Sequence, residues 1–288
     1  MLFIIGAVVV VVCVVGGYMA GGGHLVVLWQ PYEILIIVGA GVGGFIISNP
    51  KPVLIGSVKA MSDLLKGPKY SKENYLEVLS LLYTLFKLAR TKGMLALETH
   101  VEHPEESAIF QKFPHVSDNH HAMTFLCDYL RLLTLGSDNA FEMEALMDEE
   151  IETHHTESHQ IVEAWQTVAD SLPALGIVAA VLGVIHTMGL ITEPPEVLGH
   201  AIGGALVGTF MGVLLAYGFV GPIARSLSAI YGAETKYFQC IKAGLLAYVQ
   251  GYAPAVAVEF ARKALTSNVR PSFYEVEEAV QALPAPQA

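Results

Sequence analysis

The sequence predicts an all-α, polytopic membrane protein with four transmembrane helices and a large helical cytoplasmic insertion. Two observations lead there. The 288 residues are 53% hydrophobic and only 15% charged, against about 25% charged in ordinary soluble domains, so much of the surface must face something other than water. The charge is also unevenly placed: all 16 Lys and Arg lie in Lys51–Arg131 or Arg225–Arg270, with none in 1–50 or 132–224.

A helix rising 1.5 Å per residue needs roughly 20 apolar residues to cross a hydrocarbon core of about 30 Å. Four stretches qualify, about 2–21, 33–50, 171–190 and 200–222, with Glu33 and Asp170 only at their edges. The connectors 21–33 and 190–200 are short and lack Lys and Arg, whereas 51–169 and 223–288 hold every basic residue. The positive-inside rule then puts both short connectors outside and both termini in the cytoplasm. This gives four parts: helices 1 and 2 in 1–50, a cytoplasmic helical domain in 51–169, helices 3 and 4 in 170–222, and a cytoplasmic C-terminal helix and tail in 223–288. A cleaved signal peptide is the rival reading of the first stretch. It wants a basic n-region and a small-residue cleavage site, but Met1 runs directly into LFIIGAVVVVVCVV.

The insertion reads as helical. In ENYLEVLSLLYTLFKLARTKGMLALE (73–98), Leu76, Leu79, Tyr83, Phe86 and Ala89 recur at spacings of three and four, one apolar stripe on a helix. The stretch 104–120, with Pro104, Pro114 and Asn119, reads as a looser connection, and HAMTFLCDYLRLLTLG as a further helix. From Phe141 to Asp170 a long acidic helix leads into the third apolar stretch. After the fourth, 223–265 is helical by pattern, and the tail 271–288, with Pro271, Pro284 and Pro286, is expected to be loose at its end.

Several motifs have two readings. GAGVGG (39–44) matches a dinucleotide fingerprint, but that motif needs a strand, a tight turn and a helix. Inside ILIIVGAGVGGFII the glycines read as packing positions, with Gly39 and Gly43 at the four-residue spacing that lets membrane helices approach. His154, His155 and His159 lie beside Glu152 and Glu157 without metalloprotease spacing, and read as a solvated acidic face, as do His120 and His121. His186 is the one ionisable group inside a membrane stretch, near its outer end, where a proton-path role competes with simple interfacial hydration. Cys13, Cys127 and Cys240 are scattered and form no metal-type spacing. A net charge of −11, with no concentrated basic stripe beyond the Lys87–Lys92 group, argues against nucleic acid as a partner. No nucleophile elbow and no pair of intramembrane carboxylates appears, so the residues carry no sign of an enzyme.

The fourth apolar stretch, IGGALVGTFMGVLLAYGFVGP, presents Gly204, Gly208 and Gly212 as one small stripe and Ala201, Ala205 and Thr209 as a neighbouring one. Together they offer a surface on which another helix can pack closely. A lone membrane threonine ordinarily bonds its own i−4 carbonyl, yet Thr209 stands near mid-span on the small side, where it could meet water or a partner's polar group. Pro173 and Pro222, near the cytoplasmic ends of helices 3 and 4, each remove a backbone donor. An ion path needs an ionisable group in the membrane, and the expectation is that its carboxylate comes from another chain.

Three stretches, RTKGMLALE (90–98), DSLPALGIVAAVLGVIHTMG (170–189) and GGALVGTFMGVLLAYGFVGP (203–222), resemble MotA, the larger stator subunit of the bacterial flagellar motor, in the MotA/TolQ/ExbB proton channel family. The similarity extends over essentially the whole chain. It implies a non-enzymatic subunit of the bacterial inner membrane that, with MotB, couples ion flow to torque. Arg90 then matches the basic residue, and Glu98 the acidic one, that engage the rotor protein FliG. Eight apart, they would share a face of a continuous helix, but Gly93 interrupts it. Pro173 and Pro222 match prolines that couple protonation to movement, and Thr209 a pore-facing hydroxyl near the ion-binding Asp of MotB. The resemblance further implies five such chains around two MotB helices, and protons in preference to sodium as the transported ion, with no cofactor. Two rivals are an ExbB/TolQ-type energiser, typically with three membrane helices, and an autonomous transporter or membrane enzyme.

Overall fold

The structure, a computed structural model, describes residues 2–67 and 69–283. In chain order its helices are α1 (Leu2–Ala20), α2 (Leu25–Leu28), α3 (Pro31–Ser48), α4 (Lys51–Lys66), α5 (Lys72–Lys92), α6 (Leu95–Glu102), α7 (Pro114–Ser117), α8 (His120–Thr134), α9 (Ala140–Met188), α10 (Pro195–Leu215), α11 (Gly221–Val249), α12 (Pro254–Lys263) and α13 (Phe273–Gln281). A 3₁₀ turn occupies Phe110–Lys112 and a π-helical turn, Ala216–Val220, joins α10 to α11. No strand occurs among the described residues, so the all-α class holds. The chain packs as two units, Met1–Gly67 with Glu157–Ile230, and Pro68–Thr156 with Tyr231–Ala288. These bounds cut across the four sequence parts, because α4, α9 and α11 run on beyond the apolar stretches.

The first unit is apolar. Four helices are long and apolar enough to cross a membrane: Leu2–Ala20, Leu25–Ser48, and stretches within Ala140–Met188 and Pro195–Val249. All four expected spans are therefore present. α1 buries none of its residues; its rows of valine and isoleucine carry no polar group that would resist lipid. α3 starts with Pro31 at its first turn, where the missing N–H costs nothing. The small interior of this unit gathers Ile37, Leu172, Ala179 and Ala216. α4 belongs here too: Val53, Ser57, Ala60 and Leu64 form one buried face. It meets α9 where a β-carbon on Gly56 would lie 2.7 Å from Ile161 Cδ1.

The second unit carries a core built around α5. This helix begins with a reciprocal cap: the Ser71 N–H donates to Asn74 Oδ1 at 2.9 Å, and the Asn74 N–H donates to Ser71 Oγ at 3.4 Å. The single apolar stripe expected for α5 is replaced by burial on nearly every side, since Val78, Leu81, Leu82, Leu85 and Leu88 join Leu79, Phe86 and Ala89 in the core. The reason is its position, for α6, α7, α12 and α13 all pack against it. α8 adds Phe125, Leu126 and Leu130, and α11 adds Tyr237, Phe238 and Ile241. The stretch expected to be loose, 104–120, consists of turns, the 3₁₀ turn and α7.

The stretch 73–98 is two helices, α5 and α6, separated at Gly93 where the sequence places an interruption. α5 ends at Gly93, whose φ of 88° is a left-handed conformation that side chains resist, and whose N–H donates to the Ala89 carbonyl at 2.9 Å. The tail begins with a further helix. Residues 273–281 form α13, capped by Ser272 and Glu275 and tied to α5 by Lys72 Nζ at 2.7 Å from Glu275 Oε1; the final prolines at 284 and 286 lie outside the described residues.

Glu275 links α13 to pH. The Lys72 ammonium foremost, then the Ser272 cap, holds its carboxyl down at about 2, from an ordinary 4.5. A depressed carboxyl contributes stability above its unfolded pKa and loses it as pH falls through the folded value. Hydrogen exchange of 273–281 should therefore show protection at pH 5 that declines between 4.5 and about 2. Glu275→Gln should show reduced protection at pH 5 without that acid transition.

Candidate functional site: a close helix seam and an exposed charged helix end

The sequence-singled positions fall into two groups. Pro173, Thr209 and Pro222 belong to the apolar unit, and Arg90 and Glu98 to the polar one.

In the apolar unit, α9 and α10 approach until backbone meets backbone. A β-carbon on Gly212 would lie 2.6 Å from the Leu172 carbonyl oxygen and 2.8 Å from Gly176 Cα. One on Gly176 would lie 2.9 Å from the Gly208 carbonyl oxygen and 3.3 Å from Thr209 Cα. Farther along, the same construction on Gly183 meets Ala205 Cβ at 2.7 Å. Only hydrogen fits at these positions. The stripe Gly204, Gly208, Gly212 thus has a partner, and it is α9 of the same chain, with Gln30 covering Gly204. The α9 half of the seam went unread in the sequence, although Gly176, Ala179, Ala180 and Gly183 recur at helical spacing. Conversely, Gly39 and Gly43 of α3 meet nothing within 4 Å in this chain, and Gly41 is the glycine that packs, against Leu172 and Leu175.

Both prolines leave marks on the helices. Pro173 stands inside α9 and cannot donate to the Ala169 carbonyl; in the turn before it the Ser171 hydroxyl donates to the Val168 carbonyl at 2.8 Å. Pro222 is the second residue of α11, directly after the π turn, where the Gly221 N–H donates to the Ala216 carbonyl. Widening the hydrogen-bond register there is one way a helix absorbs a position that cannot donate.

Thr209 is half-buried beside the seam. Thr187, near the far end of α9, follows ordinary membrane behaviour, its hydroxyl donating to the Gly183 carbonyl at 2.8 Å. The Thr209 hydroxyl makes no hydrogen bond among the described residues. It remains available to a group outside the chain. His186 is exposed near the end of α9.

In the polar unit, Arg90 lies exposed in the last turn of α5 with Lys92, where positive charge complements the helix C-terminus. Phe86, one turn earlier, stacks on Tyr248 with centroids 4.5 Å apart and planes 4° from parallel. Burial raises the Tyr248 phenol, and the neighbouring Arg90 charge pulls it down. Glu98 is exposed on α6, beyond the Gly93 break. Neither charge forms an ion pair among the described residues. The two therefore stand on separate helices. Two histidines differ from the expected solvated face: His154 is half-buried and packs edge-on against Phe238 at 5.2 Å and His121 at 5.7 Å, and the half-buried His155 has its Nδ1 3.3 Å from Thr235 Oγ1.

A bundle of apolar helices sealed by glycine contacts, interrupted by two prolines and joined to a water-exposed helical unit, defines a polytopic membrane subunit of the channel-energiser class. Residues 118–240 match the MotA/TolQ/ExbB proton channel family, and residues 4–93 match the family described as Motility protein A N-terminal. The chain is 48% identical to motility protein A of Salmonella typhimurium strain LT2 over 286 residues, 99% of this chain and 97% of that relative. Among solved structures it resembles the flagellar MotAB stator complex from Bacillus subtilis, with TM-score 0.73, 25% identity, and coverage of 89% of this chain and 92% of that one. The C. jejuni MotAB structure shares the fold with TM-score 0.78 and 21% identity over 92% of this chain and 96% of that one. The chain belongs to the motility protein A family.

Because the seam leaves no room at Gly212, Gly212→Val should cost about 1–3 kcal/mol through overpacking and lower the melting temperature of the purified protein. Gly39→Val, facing open space in the same unit, should leave it nearly unchanged.

Proposed function

We propose that this chain is a stator subunit of the bacterial flagellar motor, which with a MotB-type single-span partner couples proton flow across the inner membrane to torque on the rotor protein FliG. The observation that carries this reading is the likeness to motility protein A over 99% of the chain, which takes in both the α9–α10 seam and the end of α5. Four candidate spans, rather than the three typical of ExbB/TolQ proteins, favour it over an energiser of another partner.

Under this proposal five copies surround two MotB helices, each bringing the ion-binding Asp. Both termini lie in the cytoplasm, in accord with the basic residues of Lys51–Arg131 and Arg225–Arg270. The unbonded Thr209 hydroxyl faces the partner's Asp. Protonating that Asp removes a buried charge, the α9 and α10 helices shift at Pro173 and Pro222, and the polar unit moves against the rotor. A proton crossing 100 mV supplies about 2.3 kcal/mol, enough to bias states a few kcal/mol apart. Arg90 and Glu98 meet charges on FliG. Exposed pairs of that kind contribute about 0–1 kcal/mol each, which suits a contact made and broken repeatedly. Sodium remains the less favoured ion.

The deciding experiment is tethered-cell rotation in a stator-less host that expresses this chain with its MotB-type partner in sodium-free buffer. Rotation is expected, and it should stop when the proton gradient is collapsed; rotation only after sodium addition would overturn the ion assignment. An intact but immobile complex in both buffers would favour the ExbB/TolQ reading. Thr209→Val should assemble normally yet impair rotation. Replacing Arg90 and Glu98 by residues of opposite charge should reduce torque, with recovery when complementary charges are reversed on FliG.

A further inference from the structure

Among the carboxylates of the membrane unit, which the ion path above does not use, one has an enclosed oxygen without a hydrogen-bond partner. Glu33, in the first turn of α3, has its Oε2 atom enclosed by protein with no hydrogen-bond partner among the described residues. It is not spent on capping, because the α3 N-terminus has no side-chain cap hydrogen bond. Nor is it turned outward with the lipid-facing residues. Glu33, Ile37 and Gly41 follow one another at four-residue intervals, one helix face. Ile37 is fully buried, and a β-carbon on Gly41 would touch Leu172 at 3.6 Å. This is the face of α3 that packs into the bundle beside Pro173.

Other polar atoms stand at the same end of the unit. The Gln30 amide lies against Gly204, within 3.1–3.3 Å of where a β-carbon would be, and its Nε2 donates to the Val27 carbonyl at 3.1 Å. Along α10 from Gly204, five residues and about 7.5 Å deeper, comes Thr209 with its unbonded hydroxyl. Neither 1–50 nor 132–224 contains a Lys or Arg, so no fixed cation of these spans neutralises Glu33. Glu33 is half-buried, so one of its oxygens is enclosed without a fixed counter-charge while the side chain stays within reach of a mobile one.

We propose that Glu33 is a proton-binding station of this chain, at the outer end of the path that leads to the partner's carboxylate. The inference rests on the stator reading and revises the expectation that every carboxylate of the path comes from another chain. Hydronium at the outer surface gives its proton to Glu33 Oε2 and leaves as water. Neutral Glu33 then passes the proton inward to the partner's Asp, which becomes neutral as Glu33 regains its charge. Net transfer is one proton, and no other group changes state.

The test compares wild type, Glu33→Gln and Glu33→Asp, each expressed with the MotB-type partner in the stator-less host. Bead rotation is read at low load, where ion transfer limits speed, and at stall, with the amount of membrane-assembled complex measured alongside. Glu33→Gln should assemble normally and keep most of its stall torque while low-load speed falls about a hundredfold, the low end of what a positioned proton-transfer group contributes. Glu33→Asp should recover most of the speed. Unchanged low-load speed in Glu33→Gln overturns the proposal, as does loss of the assembled complex, which would mark Glu33 as structural. A wild-type chain that assembles but does not rotate would overturn the stator reading itself, and this inference with it.

Discussion

The backbone contact between α9 and α10 is the constraint on which the membrane unit depends. Lipid tails are as apolar as leucine, so burying apolar surface gives these helices no reason to associate; only close van der Waals fit and polar contacts do. Gly176 and Gly212 supply that fit by omitting their side chains, and Ala179, Gly183, Ala205 and Gly208 extend it along both helices. A single β-carbon at either end of the Gly176–Gly212 contact would fall inside the other helix's backbone. The seam is therefore set by atoms that are absent from the side chains, and its geometry has little tolerance.

That seam gives the prolines their context. Pro173 lies one turn from Gly176 in α9, and Pro222 follows the π turn that ends α10. Each helix is tightly held at its glycines and weakened in its hydrogen-bond ladder nearby. Such a combination concentrates bending at known positions instead of spreading it along the helix. Thr209 sits beside the tight part with a hydroxyl that its own helix does not use, unlike Thr187. The polar unit obeys different rules. There α5 is buried on nearly all sides among aromatic and leucine side chains, and its last turn emerges with Arg90 and Lys92 exposed. Gly93 then redirects the chain, so Arg90 and Glu98 are presented from two helices whose relation is decided by one left-handed residue.

Much of this was legible in the sequence because it depends on local composition. A run of about 20 residues without charge reads as a span wherever it occurs, and all four were found within a few residues of their helices. The acidic stretch leading to Asp170 reads as helix by periodicity, and it is part of α9. The differences share one cause. The single α5 stripe was a judgement about neighbours, and so was the reading of Gly39 and Gly43, which meet nothing within 4 Å in this chain. Periodicity shows which residues share a face but not how many faces are covered. α5 acquired several partners, α13 found α5 through Lys72 and Glu275, and Gly41, one position between two better-spaced glycines, received the contact.

By itself the sequence determined the helical class, the four apolar spans, the segregation of basic charge and the residues whose backbone is unusual, because each follows from the chemistry of a residue and its near neighbours. Only the tertiary structure decided that the glycine stripe of α10 closes on α9 of the same chain, that Thr209 keeps a free hydroxyl and that Glu33 turns an oxygen into the bundle. Those outcomes depend on which surfaces meet, and residues far apart in the chain, such as Gly176 and Gly212 or Ile37 and Leu172, meet only once the helices have packed.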